Sequence, residues 1–286
     1  MQTSQCADAS TFLRETSNYR ALHPLQTNVL GSIATSTVAG FRGYDAYWWW
    51  LVHDDGEVVG AACRTAPFCL QLGPMSRDAA ASLAQAISRD DDDLPCVNGD
   101  PATVQGFLDA YVATGSRGSF RRPTMNFENI IYEAGAIRTP DVLGELRSAT
   151  RAQFDLASAW MADFSTFIDG VAYQPTQHDL DALVARIDAS MLYFWFVEGV
   201  PVSMAGHAAP VTIASQTVTR IAPVFTPVEH RRHGYAAAAT AALTTRLMTD
   251  GSRVTLLADA TYPTSNHVYQ GIGYFEVDRL VRFDFS

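Results

Sequence analysis

Apolar and polar positions in the first half of the chain predict a definite order of strands and helices. An aromatic, β-branched strand is followed by the polar turn HDDGE and by a second apolar strand. In the helix that comes next, Leu83 and Ile87 are four residues apart and lie on one face. The predicted elements are strands at residues 44–52 and 58–70, helices at 79–87 and 102–113, and a closing strand at 126–132.

The second half of the chain begins the same order again. The predicted elements are helices at 154–167 and 177–190, a hairpin within 191–209, a strand at 217–225, a helix at 235–248, a strand at 254–258, a short helix at 266–270 and final strands. Glu198 and Gly199 are the predicted turn of the hairpin. We therefore predict two copies of one α+β unit, residues 1–140 and 141–286, with a seam at 137–147.

Length, composition and charge agree with this division. The 286 residues exceed the roughly 100–200 of a typical domain, and 48% of them are hydrophobic. A formal charge of −10 argues against a nucleic-acid-binding surface, which needs a basic patch. The sequence shows no signal peptide and no apolar run of about 18 residues, so we expect a cytoplasmic protein that does not bind membranes.

The cysteines and one acidic run bear on metal and redox chemistry. Cys6, Cys63, Cys69 and Cys96 contain no C-x-x-C pair, which favours reduced structural thiols over a metal site or a disulfide framework. The acidic run at residues 90–93 is interpreted as a solvated loop, with a cation site as the less favoured alternative. We therefore expect no metal site.

The run TPVEHRRHGYAAAAT, residues 226–240, has the composition of an anion-binding turn. It follows a predicted strand and precedes a predicted helix, so that free backbone N–H groups and the positive end of the helix dipole point to one place. Gly234 allows close approach of the backbone to a phosphate, and Arg231 and Arg232 offer bidentate guanidinium groups. The alternative interpretation is a helix start with solvated arginines.

A second run, DATYPTSNHVYQGIGYFEV, begins at Asp259 and predicts a short helix between two strands. Thr264 or Ser265 can cap this helix, which places Asn266 and Tyr269 on one face. A glycine at position 273 then ends the helix.

Together, Arg231-x-x-Gly234-x-Ala236 and Asn266-x-x-Tyr269 resemble the motifs of the GCN5-related N-acetyltransferases. The resemblance covers about residues 147–286. It implies tandem domains, each with a mixed, mostly antiparallel sheet flanked by helices, and acetyl-CoA as acyl donor. The pyrophosphate is then expected on the turn, and the pantetheine arm between the strands at 217–225 and 254–258. The implied cofactor-binding residues are Val224, Phe225, Thr226, Arg231, Arg232, His233, Gly234, Tyr235, Ala236 and Asn266.

Amide formation from a thioester needs a neutral amine, an oxyanion donor and a proton for the departing thiolate. Tyr269 is the predicted acid, because the reference pKa of tyrosine, about 10, lies near that of a thiol, about 8.5. A backbone N–H near Val224 is the predicted oxyanion donor, and Asp259, at the end of a strand, is the favoured general base. Alternatives left open for the base are Glu198, His207, Glu229, a water chain and a backbone carbonyl.

The first half has the element order without the motifs. Gly73 follows its second strand, but no Arg-x-x-Gly-x-Ala turn and no Asn-x-x-Tyr pair occurs before Asn126. We interpret this half as a degenerate acetyltransferase domain that has lost the cofactor loop. The predicted function is transfer of an acetyl group to the amine of a small molecule, in a chain that can form a homodimer. The alternatives are a non-catalytic acyl-CoA-binding regulatory module and a transferase of longer acyl chains.

Overall fold

The computed structural model describes residues 1–41, 43–90, 94–114 and 122–286. The strands of these residues are β1 (Gln2–Gln5), β2 (Tyr47–Asp54), β3 (Glu57–Thr65), β4 (Leu70–Leu72), β5 (Cys96–Gly99), β6 (Pro123–Ala134), β7 (Glu145–Ser148), β8 (Leu192–Val197), β9 (Val200–His207), β10 (Val211–Ile213), β11 (Gln216–Phe225), β12 (Ser252–Asp259) and β13 (Tyr274–Phe285). The helices are α1 (Ala9–Glu15), α2 (Ser17–Leu22), α3 (Asn28–Val38), α4 (Arg77–Asp90), α5 (Pro101–Ala113), α6 (Phe154–Asp169), α7 (Gln177–Asp188), α8 (Tyr235–Thr249) and α9 (Pro263–Gly271).

All the strands of the described residues form one mixed sheet. Its order is β1-β2-β3-β4-β5-β13-β6-β12-β11-β9-β8-β7, and β10 pairs with β11. The closing strand of the first half, β6, lies beside β12 of the second half, and the last strand, β13, lies beside β5 of the first half. The two halves therefore exchange their closing strands, which pair with each other at the centre of the sheet.

Alternation along the strands explains why helices cover both faces of this sheet. In β8, Leu192 and Phe194 pack into the cluster under α6 and α7, whereas Tyr193 and Trp195 pack into the cluster under α8 and α9. A third cluster lies under α4 and α5 in the first half. The predicted α+β class, with helices on a mixed sheet, is confirmed.

The N-terminal helices α1, α2 and α3 were not predicted from the sequence. Helix α3 crosses to the second half, where Asn28 Nδ2 donates to the carbonyl oxygen of Val218 at 3.2 Å. Gly31 permits this approach, since a Cβ at that position would lie 2.7 Å from Val211 Cγ1. The N-terminal segment thus becomes part of the surroundings of β11.

Two elements differ from the prediction at positions where a proline stands. The strand predicted at 58–70 is divided into β3 and β4, with a cis Ala66–Pro67 bond between them. Helix α9 begins at Pro263 and has Tyr262 as its N-cap without a side-chain bond, so the predicted capping by Thr264 or Ser265 is wrong. Proline fits the first helical position because a backbone N–H there would have no hydrogen-bond acceptor within the helix, so its absence costs nothing.

The prediction of four reduced thiols is wrong for two of the cysteines. Cys69 and Cys96 form a disulfide, because the neighbouring parallel strands β4 and β5 bring their Cα atoms to 4.6 Å. Cys6 and Cys63 are free. Of the acidic run, residues 91–93 lie outside the described part of the chain. Among the described helices, none combines the length and the apolar character needed to cross a bilayer.

The strand exchange predicts that the protein unfolds in one cooperative transition. Phe285 of β13 is buried in the cluster under α4 and α5, and its ring centroid lies 5.5 Å from that of Tyr111. Phe285→Ala should lower the free energy of unfolding by about 3–5 kcal/mol and shift the whole calorimetric transition. Phe275→Ala, at a side chain of the same strand that is 49% exposed, is the control and should cost under about 1 kcal/mol. Two transitions, of which only one moves, would contradict the shared sheet.

Candidate active site

Strands β11 and β12 are parallel neighbours that separate before they end. Backbone pairing joins residues 217–221 to 252–256 and stops there. At this point the register of β11 against β9 shifts, and a cis Ala222–Pro223 bond stands within the shift. Proline also has no N–H to offer a neighbouring strand. Residues 222–225 and 257–259 therefore border an opening in the sheet, which we call the wedge.

Arg186 of α7 fixes the base of the wedge. Its Nη2 donates to the carbonyl oxygen of His207 in β9 at 3.1 Å and to that of Ala222 in β11 at 2.5 Å. Where the register is irregular, such carbonyl groups are not hydrogen-bonded to the neighbouring strand. A guanidinium group has several N–H donors and can bond two of these carbonyl oxygens at once. Arg186 thus holds β11 in its diverging course.

The turn between β11 and α8 lies at the same edge of the sheet. Its start is fixed by Ser203, whose Oγ donates to the carbonyl oxygen of Phe225 at 3.0 Å and lies 2.9 Å from Thr226 Oγ1. Arg232 and Gly234 have left-handed backbone angles, with φ of 66° and 80°. Gly234 is the N-cap of α8 and provides no side-chain cap, so the first N–H groups of the helix remain available to a ligand.

The side chains of this turn differ in whether they are bound within the protein or exposed to solvent. Arg231 donates from Nε to the carbonyl oxygen of Thr226 at 3.0 Å and lies over the Phe167 ring, so it braces the turn. Arg232 is exposed. His233 is also exposed, and its ring stacks on that of Tyr235 with centroids 5.3 Å apart.

Small side chains follow at the start of α8. Ala236 is half-buried, and Ala238 and Ala239 are fully buried, which keeps this end of the helix thin.

Asn266 joins α9 to the end of β12. Its Nδ2 donates to the carbonyl oxygens of Asp259 at 2.8 Å and Tyr262 at 3.1 Å. Its Oδ1 is buried and has no hydrogen-bond partner in the described residues. A buried amide oxygen without a donor is costly unless a ligand supplies one.

Tyr269 lies one helical turn after Asn266 and borders the same region. Its half-buried ring packs against Tyr132 and Tyr274, with centroids 6.4 Å and 6.2 Å away. Its hydroxyl makes no hydrogen bond to any residue that the structure describes. Loss of hydration on burial raises the pKa of Tyr269 to about 12.

Asp259 ends β12 at the mouth of the wedge. Strand alternation puts its side chain on the face that carries Leu257, which packs toward Leu25 of the N-terminal segment. The carboxylate also organises the following turn, because Oδ1 accepts from the N–H and the hydroxyl of Thr261, both at 2.7 Å. Asp259 is therefore close to the wedge but partly occupied by local hydrogen bonds.

The other candidate bases occupy less suitable places. Glu198 is exposed in the hairpin turn, and Glu229 is exposed in the turn before α8. His207 is buried, its ring lies 6.3 Å from that of Tyr193, and its Nδ1 lies 2.9 Å from the carbonyl oxygen of Ala208. Burial lowers the pKa of His207, so its imidazole is neutral at neutral pH.

A cavity of about 350 Å³ adjoins the wedge on the face covered by α6 and α7. Ala222 of β11 lies in its wall, and so do Arg186 and Arg220. The first half of the chain contributes residues of α3 and of the segments around Tyr44 and Phe68. The cavity is thus built from both halves and reaches the point where β11 leaves β12.

The turn, Asn266, Tyr269 and Asp259 were predicted from the sequence to lie together, and all of them lie near the carboxyl ends of β11 and β12. Ser203, Arg186 and Arg220 were not predicted. Of these, Arg220 carried a signal, since a lone arginine within the apolar strand TVTRIAPVF is unusual.

The corresponding place in the first half is closed. There the parallel pair is β4 and β5, and the disulfide Cys69–Cys96 ties the two strands together. The turn before α4 is covered by the buried Tyr19, whose hydroxyl donates to the carbonyl oxygen of Pro74 at 2.7 Å and lies directly against Gly73. A wedge comparable to that of the second half is therefore blocked by side chains of the protein itself.

Comparison with known proteins agrees with this geometry. Residues 199–283 match the family model described as FR47-like protein. Among curated proteins, none matches the sequence. An acetyltransferase of the GNAT family from Colwellia psychrerythraea has 12% identity and a TM-score of 0.63, with 100% of each chain covered.

Two further solved structures extend the comparison. A GCN5-related N-acetyltransferase from Kribbella flavida has 17% identity and a TM-score of 0.52, covering 89% of this chain and 95% of its own. A tandem GNAT protein from the clavulanic acid biosynthesis pathway has 12% identity and a TM-score of 0.53, covering 99% and 97%. At these identities the likeness concerns the fold. In its fold the chain is similar to GCN5-related N-acetyltransferases, including one of the tandem form, and its residues 199–283 match the FR47-like family.

Proposed function

We propose that the protein is an N-acyltransferase that uses acetyl-CoA, with its active centre in residues 141–286 and a degenerate acetyltransferase-like domain in residues 1–140. The observation that carries the proposal is the wedge, which leads directly into the left-handed turn at the start of α8. An extended chain with amide groups, such as pantetheine, can use backbone groups that β11 and β12 do not use with each other. A pyrophosphate at its end then reaches a helix N-terminus.

The residues present fit this cosubstrate. The exposed Arg232 and the N–H groups at Tyr235 and Ala236 suit the pyrophosphate, while the stacked His233 lies beside them. The buried Oδ1 of Asn266 suits an amide N–H of the arm. Arg231 contributes by shaping the turn, because its Nε is bound to the main chain.

In the proposed reaction the acceptor amine attacks the thioester carbonyl, and the carbon–sulfur bond breaks. The carbonyl oxygen of Phe225 faces Ser203 of β9, so strand alternation directs the N–H of Val224 toward the wedge, where it can stabilise the oxyanion. Asp259, directly or through water, receives the proton of the amine.

The raised pKa of Tyr269 refines its proposed role. Against a thiol pKa of about 8.5, complete proton transfer from a group with a pKa of about 12 is uphill by about 5 kcal/mol. Tyr269 therefore acts best as a hydrogen-bond donor to the departing sulfur that keeps its proton. Its hydroxyl is free for this purpose within the described structure.

Gly234→Val should weaken acetyl-CoA binding by at least tenfold, because a side chain would strain the left-handed backbone and block the approach of the pyrophosphate. Its matched control is Gly251→Val at the other end of α8, where φ is 88° and a Cβ meets nothing within 4 Å. Both dissociation constants are measured by isothermal titration calorimetry. An equal loss in the two variants, or none in Gly234→Val, would contradict the assignment of the turn.

Tyr269→Phe should leave the dissociation constant of acetyl-CoA within about threefold and lower the rate of CoA release with a panel of primary amines by about 10²-fold or more. Tyr274→Phe removes a hydroxyl that bonds Thr244 in the core, so it should reduce stability by about 1 kcal/mol without a comparable loss of rate. Unchanged turnover in Tyr269→Phe would remove this residue from the mechanism. Acetyl-CoA binding by the folded parent without turnover of any amine would instead favour a non-catalytic acyl-CoA-binding module.

A further inference from the structure

Arg220 occupies an unusual position in the middle of β11. Its Nη2 donates to Ser32 Oγ in a long hydrogen bond of 3.3 Å, and its Nε is buried without an acceptor in the described residues. Loss of hydration lowers the pKa of Arg220 to about 10, although the guanidinium remains charged at neutral pH. Arg220 as a whole is half-buried, and a partly desolvated cation with so few hydrogen bonds is costly in the free protein.

The hydrogen bonds and ion pairs around Arg220 show how its charge is compensated within the described part of the chain. No carboxylate of the described residues forms an ion pair with Arg220. Asp179 lines the same cavity, but its Oδ2 accepts from the N–H and the hydroxyl of Thr176 and from the hydroxyl of Tyr173, at 2.9, 2.6 and 2.6 Å. Arg186 adds a second guanidinium to the wall. The cavity wall therefore carries two guanidinium groups, of which Arg220 forms no ion pair with a described carboxylate.

The rest of the cavity wall is largely apolar and aromatic. Phe41, Tyr44 and Phe68 come from the first half of the chain, and Met161 and Leu183 come from α6 and α7. The rings of Tyr44 and Phe68 meet edge to face, with centroids 5.9 Å apart. A volume of about 350 Å³ is at the lower end of the range for small-molecule sites.

Arg220 also lies at a suitable distance from the proposed reaction centre. Along β11 it precedes Ala222, at the base of the wedge, by two residues, which corresponds to roughly 7 Å. Strand alternation puts both side chains on the face of the cavity. One small molecule can therefore contact the guanidinium and also reach the wedge.

We propose that this cavity binds the acceptor, and that the acceptor is an amine bearing a carboxylate on an aromatic or similarly bulky apolar body, with Arg220 as the carboxylate-binding residue. This inference rests on the proposed function for the role of the amine. The guanidinium fork pairs with a carboxylate in a planar, charge-assisted geometry, and the cation then gains a counterion that none of the described residues supplies. The first half of the chain supplies much of the apolar wall, which gives the degenerate domain a role in acceptor selection.

Binding without chemistry tests the carboxylate site separately from the transferase activity. Isothermal titration calorimetry of the full chain compares 3-phenylpropanoate with its neutral analogue 3-phenylpropanamide. We expect the acid to bind at least tenfold more tightly than the amide. Arg220→Gln should abolish this preference, and Arg220→Lys should retain only part of it. Arg246→Gln, at an arginine that packs on Tyr193 under α8, is the matched control and should keep the preference.

A second readout connects the site to the reaction. L-phenylalanine should be a better acceptor than 2-phenylethylamine, and Arg220→Gln should remove this difference through KM while the dissociation constant of acetyl-CoA stays within about threefold. Circular dichroism and thermal unfolding confirm that each variant is folded, and Arg220→Lys takes the place of Arg220→Gln if the latter is not.

The outcomes separate the two proposals. Equal binding of acid and amide, no binding of either at millimolar concentration, or a preference that survives in the Arg220 variants would overturn the carboxylate site. Failure of the proposed function would show differently, as loss of acetyl-CoA binding or turnover in the parent while the acid still binds in an Arg220-dependent manner.

Discussion

The separation of β11 from β12 after Ile221 and Leu256 is the constraint on which the rest of the site depends. A parallel pair that stays hydrogen-bonded to its ends offers no backbone groups to a ligand, whereas a pair that diverges offers two rows of them. The divergence has local causes, namely a register shift, a proline and the bridging guanidinium of Arg186. The turn before α8, Asn266 and Tyr269 all lie around this opening, and this shared position is why we propose that they act on one ligand.

The same architecture occurs twice in the chain, but only the second half keeps the opening. In the first half a disulfide joins the parallel strands β4 and β5, and Tyr19 fills the turn between β4 and α4. That half is nevertheless integrated with the second through the exchange of β6 and β13 and through α3, which packs against β11. A domain that has no wedge of its own can therefore still contribute the wall of the cavity beside the other one.

Local sequence patterns predicted those features that local physics determines. The hairpin at Glu198 and Gly199 was predicted from turn chemistry, and both residues have the expected left-handed backbone, with φ of 49° and 81°. The α8 turn was predicted because a glycine and two arginines stand between an apolar strand and an alanine-rich helix. The strand exchange, the disulfide and the contact of Ser32 with Arg220, 188 residues apart, depend on long-range pairing that no local pattern encodes.

For the site residues too, the sequence predicted positions but not the contacts that depend on the tertiary structure. The motif predicted Tyr269 as the acid, whereas its raised pKa follows from tertiary burial, which is why we propose a hydrogen-bond donor in place of a proton donor. Arg231 was expected to bind a phosphate, but its Nε donates a hydrogen bond to the main chain of its own turn. Sequence spacing can thus place a side chain near a site without revealing which of its atoms are already engaged.

The stoichiometry of acetyl-CoA binding, measured by isothermal titration calorimetry on the full chain, tests the central claim most directly. We expect one site per chain, in the wedge of the second half. Two sites would contradict the closure of the first half by Tyr19 and the disulfide. The absence of binding to the folded protein would contradict the proposed acyltransferase function.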